Sequence, residues 1–121
     1  MKKLLISSVT LIFAACTNKS SLIVGRWQTK LQKDTIFTAV FKADDTYEGY
    51  SNKDMFTKGT YSFKDRVLTF ENDKMTACSD IKGSYKLTFT ADTAMRFDVI
   101  NDSCTGRNRG SDRMVLVRVK E

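Results

Sequence analysis

From Leu22 onward the chain alternates apolar and polar residues in short runs, each cut off by a cluster of Asp, Asn, Lys or Gly. A period of two places successive side chains on opposite faces of an extended backbone, so the pattern specifies half-buried strands. Eight runs carry it: Ile23–Leu31, Ile36–Lys42, Tyr47–Ser51, Gly59–Phe63, Val67–Glu71, Ser84–Thr90, Ala94–Ile100 and Met114–Val119. The connections Ala43–Thr46, Lys64–Arg66 and Thr90–Thr93 are short enough for hairpins, and no run has the spacing of an amphipathic helix of useful length. Antiparallel strands taken in sequence order leave two open edges, each able to recruit another chain. Closing the sheet removes both, and eight strands is a common closure number. The expected fold is therefore all-β, an eight-stranded antiparallel up-and-down barrel with no C-terminal helix; a two-sheet sandwich is the alternative. The inward set would comprise Trp27, Phe37, Phe41, Tyr61, Phe63, Leu68, Phe70, Tyr85, Leu87, Phe89, Met95, Phe97 and Val99.

The N-terminal segment has a different character. Lys2 and Lys3 precede an uncharged run, Leu4 to Ala15, interrupted by Ser7, Ser8 and Thr10. Roughly 20 apolar residues are needed to cross a bilayer, so this run is too short to span one and has the layout of an export signal. Phe13-Ala14-Ala15-Cys16 resembles the bacterial lipobox, in which two small residues precede a Cys that becomes lipidated and N-terminal. The resemblance implies a signal peptide over residues 1–15, a lipidated Cys16 and tether over 16–21, and the barrel domain over 22–121. It also implies a bacterial lipoprotein exported to the cell envelope and anchored in a membrane. Thr17, not Asp, follows the Cys, which in enteric bacteria directs such proteins to the outer membrane. The alternative is an ordinary signal peptide cut after Ala15, leaving a free thiol.

Three cysteines are an odd number for an exported chain. If Cys16 carries lipid, Cys78 and Cys104 are left as a pair, bridged or as two reduced, buried thiols. A bridge would close a loop of about 27 residues, worth roughly 3–4 kcal/mol. An internal repeat supports proximity. Lys58-Gly59-Thr60-Tyr61 opens one hairpin and Lys82-Gly83-Ser84-Tyr85 the next, and each hairpin ends in Asn-Asp shortly before a cysteine. The chain has no His, which excludes a Cys–His zinc site, and no metal or cofactor is expected. Without Lys2 and Lys3, eighteen Lys and Arg face fourteen Asp and Glu, a mild net charge of about +4 that does not point to nucleic acid.

With these features the mature chain resembles a small bacterial lipocalin-like lipoprotein. Gly25-Arg26-Trp27 matches the G-x-W that opens the first lipocalin strand, where the Trp plugs the closed end of the barrel. The resemblance pairs Trp27 with Arg118, an Arg late in the chain that packs over the indole. Bacterial lipocalin-like domains also carry a Cys, a G-x-Y strand start and D-x-C-x-G-R before the last strand. Here these are Cys78, Gly83-Ser84-Tyr85 and Asp102-Ser103-Cys104-Thr105-Gly106-Arg107.

Chemistry is sparse. Asp44, Asp45, Asp54, Asp73, Asp80, Asp92 and Asp112 fall in turns, where Asp side chains usually bond nearby backbone N–H groups. Glu71 and Asp98 sit on strand faces directed away from the apolar set. A Ser or Cys nucleophile would lack its usual His base, so the expectation is a non-catalytic protein. The candidate ligand pocket consists of the inward rings Phe37, Phe41, Tyr61, Phe63, Phe70, Tyr85, Phe89 and Phe97, with Tyr61 and Tyr85 as polar handles. Arg107, Arg109 and Arg113 crowd one loop and form a candidate anion or partner site, against the simpler reading of a solvated loop balanced by Asp112. Met55 and Phe56 would form apolar tips in the loop Ser51–Gly59. Two functions follow: a carrier of a small hydrophobic or amphipathic ligand, or a filled barrel acting through its loops on an envelope or external protein. A cavity of roughly 300 Å³ or more separates the first from the second.

Overall fold

A computed structural model describes residues 22–120 other than 33, 74, 75 and 92; Cys16 and its export signal, and Asp92, lie outside the described residues. The element order is β1 (Gly25–Gln32), β2 (Thr35–Phe41), β3 (Thr46–Ser51), β4 (Asp54–Lys64), β5 (Val67–Asn72), β6 (Lys82–Thr90), β7 (Ala94–Asn101), α1 (Thr105–Ser111) and β8 (Val115–Arg118). Every strand pairs antiparallel with its neighbour in sequence, and β8 returns to β1, closing the barrel. The fold is an eight-stranded up-and-down barrel, consistent with a lipocalin-like fold.

Inside sits a core of Trp27, Phe41, Tyr61, Phe63, Leu68, Phe70, Tyr85, Leu87, Met95 and Phe97, with Phe37, Phe89 and Val99 packed against it. Ile23, Ala39, Tyr47 and Leu116 join it, although the alternation alone had not marked them. Ile23 precedes β1 and is fully buried in the core, and its carbonyl accepts the Trp27 indole N–H at 2.8 Å. Hairpins at one end are tight. Asp65 and Arg66 both take the left-handed conformation (φ 54° and 64°), and Asp45 (66°) and Ala91 (54°) do so singly. Positive φ matches a two-residue turn to the twist of its strands.

Two segments depart from the sequence expectation. The Ser51–Gly59 segment is not a loop: Asn52 turns the chain at φ 54° and β4 resumes at Asp54, pairing with Ser51. A bulge between Gly49 and Tyr50 shifts the register, which hid the strand period. The second departure is α1, in CTGRNRGSDR. It has two glycines and no buried apolar residue, so neither propensity nor periodicity marks it. What holds it is a side-chain bond and a distant tie: Asn108 Nδ2 donates to the Asp102 carbonyl at 2.9 Å, and Cys104, its N-cap, is bridged to Cys78.

The bridge joins the β5–β6 connection to the β7–β8 connection, between cysteines 26 positions apart in sequence whose Cα atoms lie 5.9 Å apart. At the opposite end Arg118 lies over Trp27, its guanidinium carbon 4.2 Å from the ring centroid. Its Nη1 donates to the Val24 carbonyl at 2.8 Å and its Nη2 to the Leu22 carbonyl at 2.6 Å. Gly25 is required there: its φ is +137°, and an added Cβ would lie 2.6 Å from Arg118 Nη1.

Replacing Arg118 by Met should lower the unfolding free energy by about 2–3 kcal/mol, the loss of bonds from a charged donor, as read by urea denaturation. A wild-type midpoint would show that strand pairing alone closes the barrel. Replacing both Cys78 and Cys104 by Ala should cost about 2–5 kcal/mol; an unchanged melting temperature would refute a stabilising bridge.

Candidate functional site

The antiparallel order sorts the connections between two ends. The turns at Ala43–Asp45 and Asp65–Arg66 and the Arg118 contact with Leu22 and Val24 lie at one end. Asn52–Lys53, the disulfide-linked connections and α1 lie at the other. The first end is plugged by rings: Phe89 packs on Trp27 at 6.5 Å and on Phe63 at 6.1 Å. The second is a mouth.

Below the mouth lies a cavity of about 400 Å³. Phe37, Phe41, Phe70, Phe97, Met114 and Leu116 give it an apolar wall, and Ala39 leaves room where a larger side chain would fill it. Leu31 and Phe56 stand at the rim; Phe56 is 55% exposed and its ring lies 5.7 Å from Phe37. The disulfide and the inner side of α1, through Gly106, Arg107, Gly110 and Ser111, complete the rim. The volume falls within the range of small-molecule pockets, about 300–1,000 Å³.

One wall carries a buried polar cluster. The Asp102 carboxylate, fully buried, accepts from Arg107 Nε at 2.7 Å (Oδ2), Arg107 Nη2 at 2.9 Å (Oδ1) and the Cys104 backbone N–H at 3.0 Å (Oδ1). The Tyr85 hydroxyl donates to the same carboxylate. Arg107 Nη2 also reaches the Ile81 carbonyl at 2.7 Å. Gly83 makes the space, because an added Cβ would lie 2.4 Å from Asp102 Oδ2. Burial by itself would raise the Asp102 pKa, but the bonds from Arg107, Tyr85 and Cys104 outweigh it and hold the carboxyl below its ordinary value. Burial, and then the bond to Asp102, push the Tyr85 phenol up. Nearby, the Tyr47 hydroxyl donates to Asn72 Oδ1, and Asn72 Nδ2 donates to the Ala77 carbonyl at 2.7 Å.

Of the pocket rings expected from sequence, Phe37, Phe41, Phe70 and Phe97 line the cavity. Phe63 and Phe89 belong to the plug, and neither Tyr61 nor Tyr85 is among the lining residues. Tyr61 donates to the Lys42 carbonyl at 2.7 Å, and burial above all pushes its phenol to about 12. Both expected polar handles are thus already engaged. The three arginines do not act as a cluster: Arg107 turns inward to Asp102, whereas Arg109 and Arg113 are exposed. Asp112 accepts from the Val99 backbone N–H at 3.1 Å, a structural duty. Asp102 was missed among the carboxylates. Its signal was the D-x-C-x-G-R spacing, which sets Arg107 five residues away, on the first turn of α1.

Because the folded-state pKa of Asp102 is lowered, its contribution to stability is complete above the unfolded value of about 3.9 and fades as pH falls through the folded value. Asp102→Asn should therefore destabilise the barrel by about 3–5 kcal/mol at pH 7, leaving Arg107 buried without its counter-charge. It should also weaken the dependence of stability on pH below about 4. Urea unfolding of both proteins at neutral and acid pH measures this; parallel curves would show that the pair contributes nothing.

No protein-family model matches the chain, and no curated protein matches it in sequence. Two solved bacterial structures share its fold. A Bacteroides uniformis protein, determined by NMR, superposes with a TM-score of 0.55 at 21% identity, over 84% of this chain and 93% of that one. The crystal structure of Treponema pallidum Tp0751 (Pallilysin) superposes with a TM-score of 0.54 at 14% identity, over 84% of this chain and 82% of that one. At these identities the likeness is one of fold: a bacterial β-barrel.

Proposed function

We propose that the chain is a non-catalytic, lipid-anchored protein of the bacterial cell envelope that carries a small hydrophobic or amphipathic molecule inside its barrel. The observation that carries this reading is the apolar cavity of about 400 Å³ beneath a mouth rimmed by Leu31 and Phe56. A barrel acting only through its loops has no use for such a space, and filling it with side chains would add stability. The Asp102 carboxylate is a poor acid or base, since four donors already hold it ionised. An anchor fits the geometry as well. The chain meets the barrel at Leu22, by Arg118 at the plugged end, so a lipid on Cys16 would leave the mouth facing away from its membrane.

An apolar fluorescent dye should bind the purified protein and be displaced by medium-chain amphiphiles. Ala39→Phe, which puts a ring into the cavity, should weaken dye binding by tenfold or more while the fold persists by circular dichroism. Absence of dye binding to the folded wild type, or undiminished binding to the variant, would remove the carrier reading. Cys16→Ala should move the protein from the membrane fraction to the soluble one; continued sedimentation with membranes would refute the anchor.

A further inference from the structure

Phe41 of β2, Phe70 of β5 and Phe97 of β7 form a row of rings across the barrel, with successive centroids 6.2 Å apart and interplanar angles of 28° and 21°. All three line the cavity, whereas the plug rings Trp27, Phe63 and Phe89 do not. The row is therefore the cavity floor. The polar residues of the wall stand towards the mouth: Asn72 ends β5, Thr57 lies in the first half of β4, and Arg107 and Ser111 belong to α1. Glu48, midway along β3, is paired with Lys42 at 3.3 Å. Between rim and floor, Ala39 and Gly49 face each other across the β2–β3 ladder, and both line the cavity. With Phe37 on the mouth side of Ala39 and Phe41 on the floor side, this pair is the stretch of wall without a large side chain.

Resting on the carrier reading above, we infer that the cavity is a length gauge for a single alkyl chain that enters tail-first. Its methyl end stops on the Phe41–Phe70–Phe97 row, its polar head stays at the mouth, and Ala39 sets the length accepted. The direction follows from desolvation, because a hydroxyl or a charge brought to a floor of phenyl rings would be buried without a partner. Two estimates bound the length. At ~30 Å³ for a water-sized group, the cavity of about 400 Å³ takes about a dozen such groups, too few for a two-chain lipid. From Phe37 to Phe41 the wall runs four residues along β2. At ~3.4 Å per residue and a strand tilt of ~40°, that is a depth of about 10 Å. An extended chain of single bonds of ~1.5 Å covers it with about eight carbons. The accepted chain thus has about eight to twelve carbons.

The test uses n-alkyl maltosides of six to fourteen chain carbons, each below its micelle concentration, because the sugar head is too bulky to enter beside its own chain. Displacement of the apolar dye from the purified protein gives each dissociation constant. Affinity should rise about threefold to fourfold per carbon up to a length of about eight to twelve, and gain nothing beyond it. A hydroxyl on the terminal carbon of the best binder should weaken binding about tenfold, as for a buried polar group left unpaired. Ala39→Leu, which adds three carbons to the wall, should move the break about two or three carbons shorter and leave the six-carbon probe within about twofold. If that variant does not fold by circular dichroism, the wild-type break and the hydroxyl probe decide. Affinity that climbs evenly to fourteen carbons, a terminal hydroxyl without effect, or an unmoved break in the folded variant would overturn the gauge. Dye that binds but yields to no maltoside would also overturn it while leaving the carrier reading intact. If neither dye nor maltoside binds, both readings fall.

Discussion

Arg118 reinforces the seam where the last strand of the sheet meets the first. Among the described residues β8 meets β1 through only two residue pairs, Trp27 with Arg118 and Gln28 with Val117. So short a ladder is a weak closure for an eight-stranded barrel. The side chain adds to what the backbone supplies: one guanidinium lies over the indole and ties the carbonyls of Leu22 and Val24 to the last strand. A planar donor fork stacked on an aromatic face suits this position, and a Lys, a point charge without that plane, would not stack on the ring while spanning both carbonyls in the same geometry. Trp27, fixed between that cation and the Ile23 carbonyl, then plugs one end of the barrel.

With one end plugged, the space within the barrel lies at the other. The mouth is built from long connections held by means other than strand pairing: the Cys78–Cys104 bridge and the Asp102–Arg107 pair. These act together, since Cys104 donates its N–H to the Asp102 carboxylate while its sulfur ties the next connection. A short glycine-containing helix with no buried residue becomes a firm rim because its N-cap, Cys104, is bridged to Cys78 and its Arg107 is held by Asp102. The ion pair forms there only because Gly83 has no side chain to occupy the site. A buried ion pair confers position more than stability, and here it fixes the wall of the cavity.

Most of the architecture was legible in the alternation of apolar and polar residues from Leu22 onward. Strand identity, order and most of the inward set follow from a period-two pattern and tight turns, both local in sequence. Where a local irregularity intervened the reading failed: the bulge at Gly49/Tyr50 disguised the start of β4, and Gly106 and Gly110 disguised α1. Tyr47 and Ala39 were overlooked because one opens a short strand and the other is too small to register as core.

Read by itself, the sequence determined eight strands in hairpin order, with a closed barrel as the expected arrangement and Cys78 and Cys104 at one end of it, while the pairing of Trp27 with Arg118 rested on the resemblance to lipocalin-like chains. Strand order is written locally, in the alternation and the tight turns. Only the tertiary structure decided which rings became plug and which became cavity wall. That division depends on where each inward side chain falls along the barrel axis, and so on register and bulges summed around eight strands. It likewise decided that Arg107, alone among its loop's arginines, turns inward. The loop composition is the same for all three; the difference lies in Asp102, Tyr85 and the space left by Gly83, brought together from two separate stretches of chain.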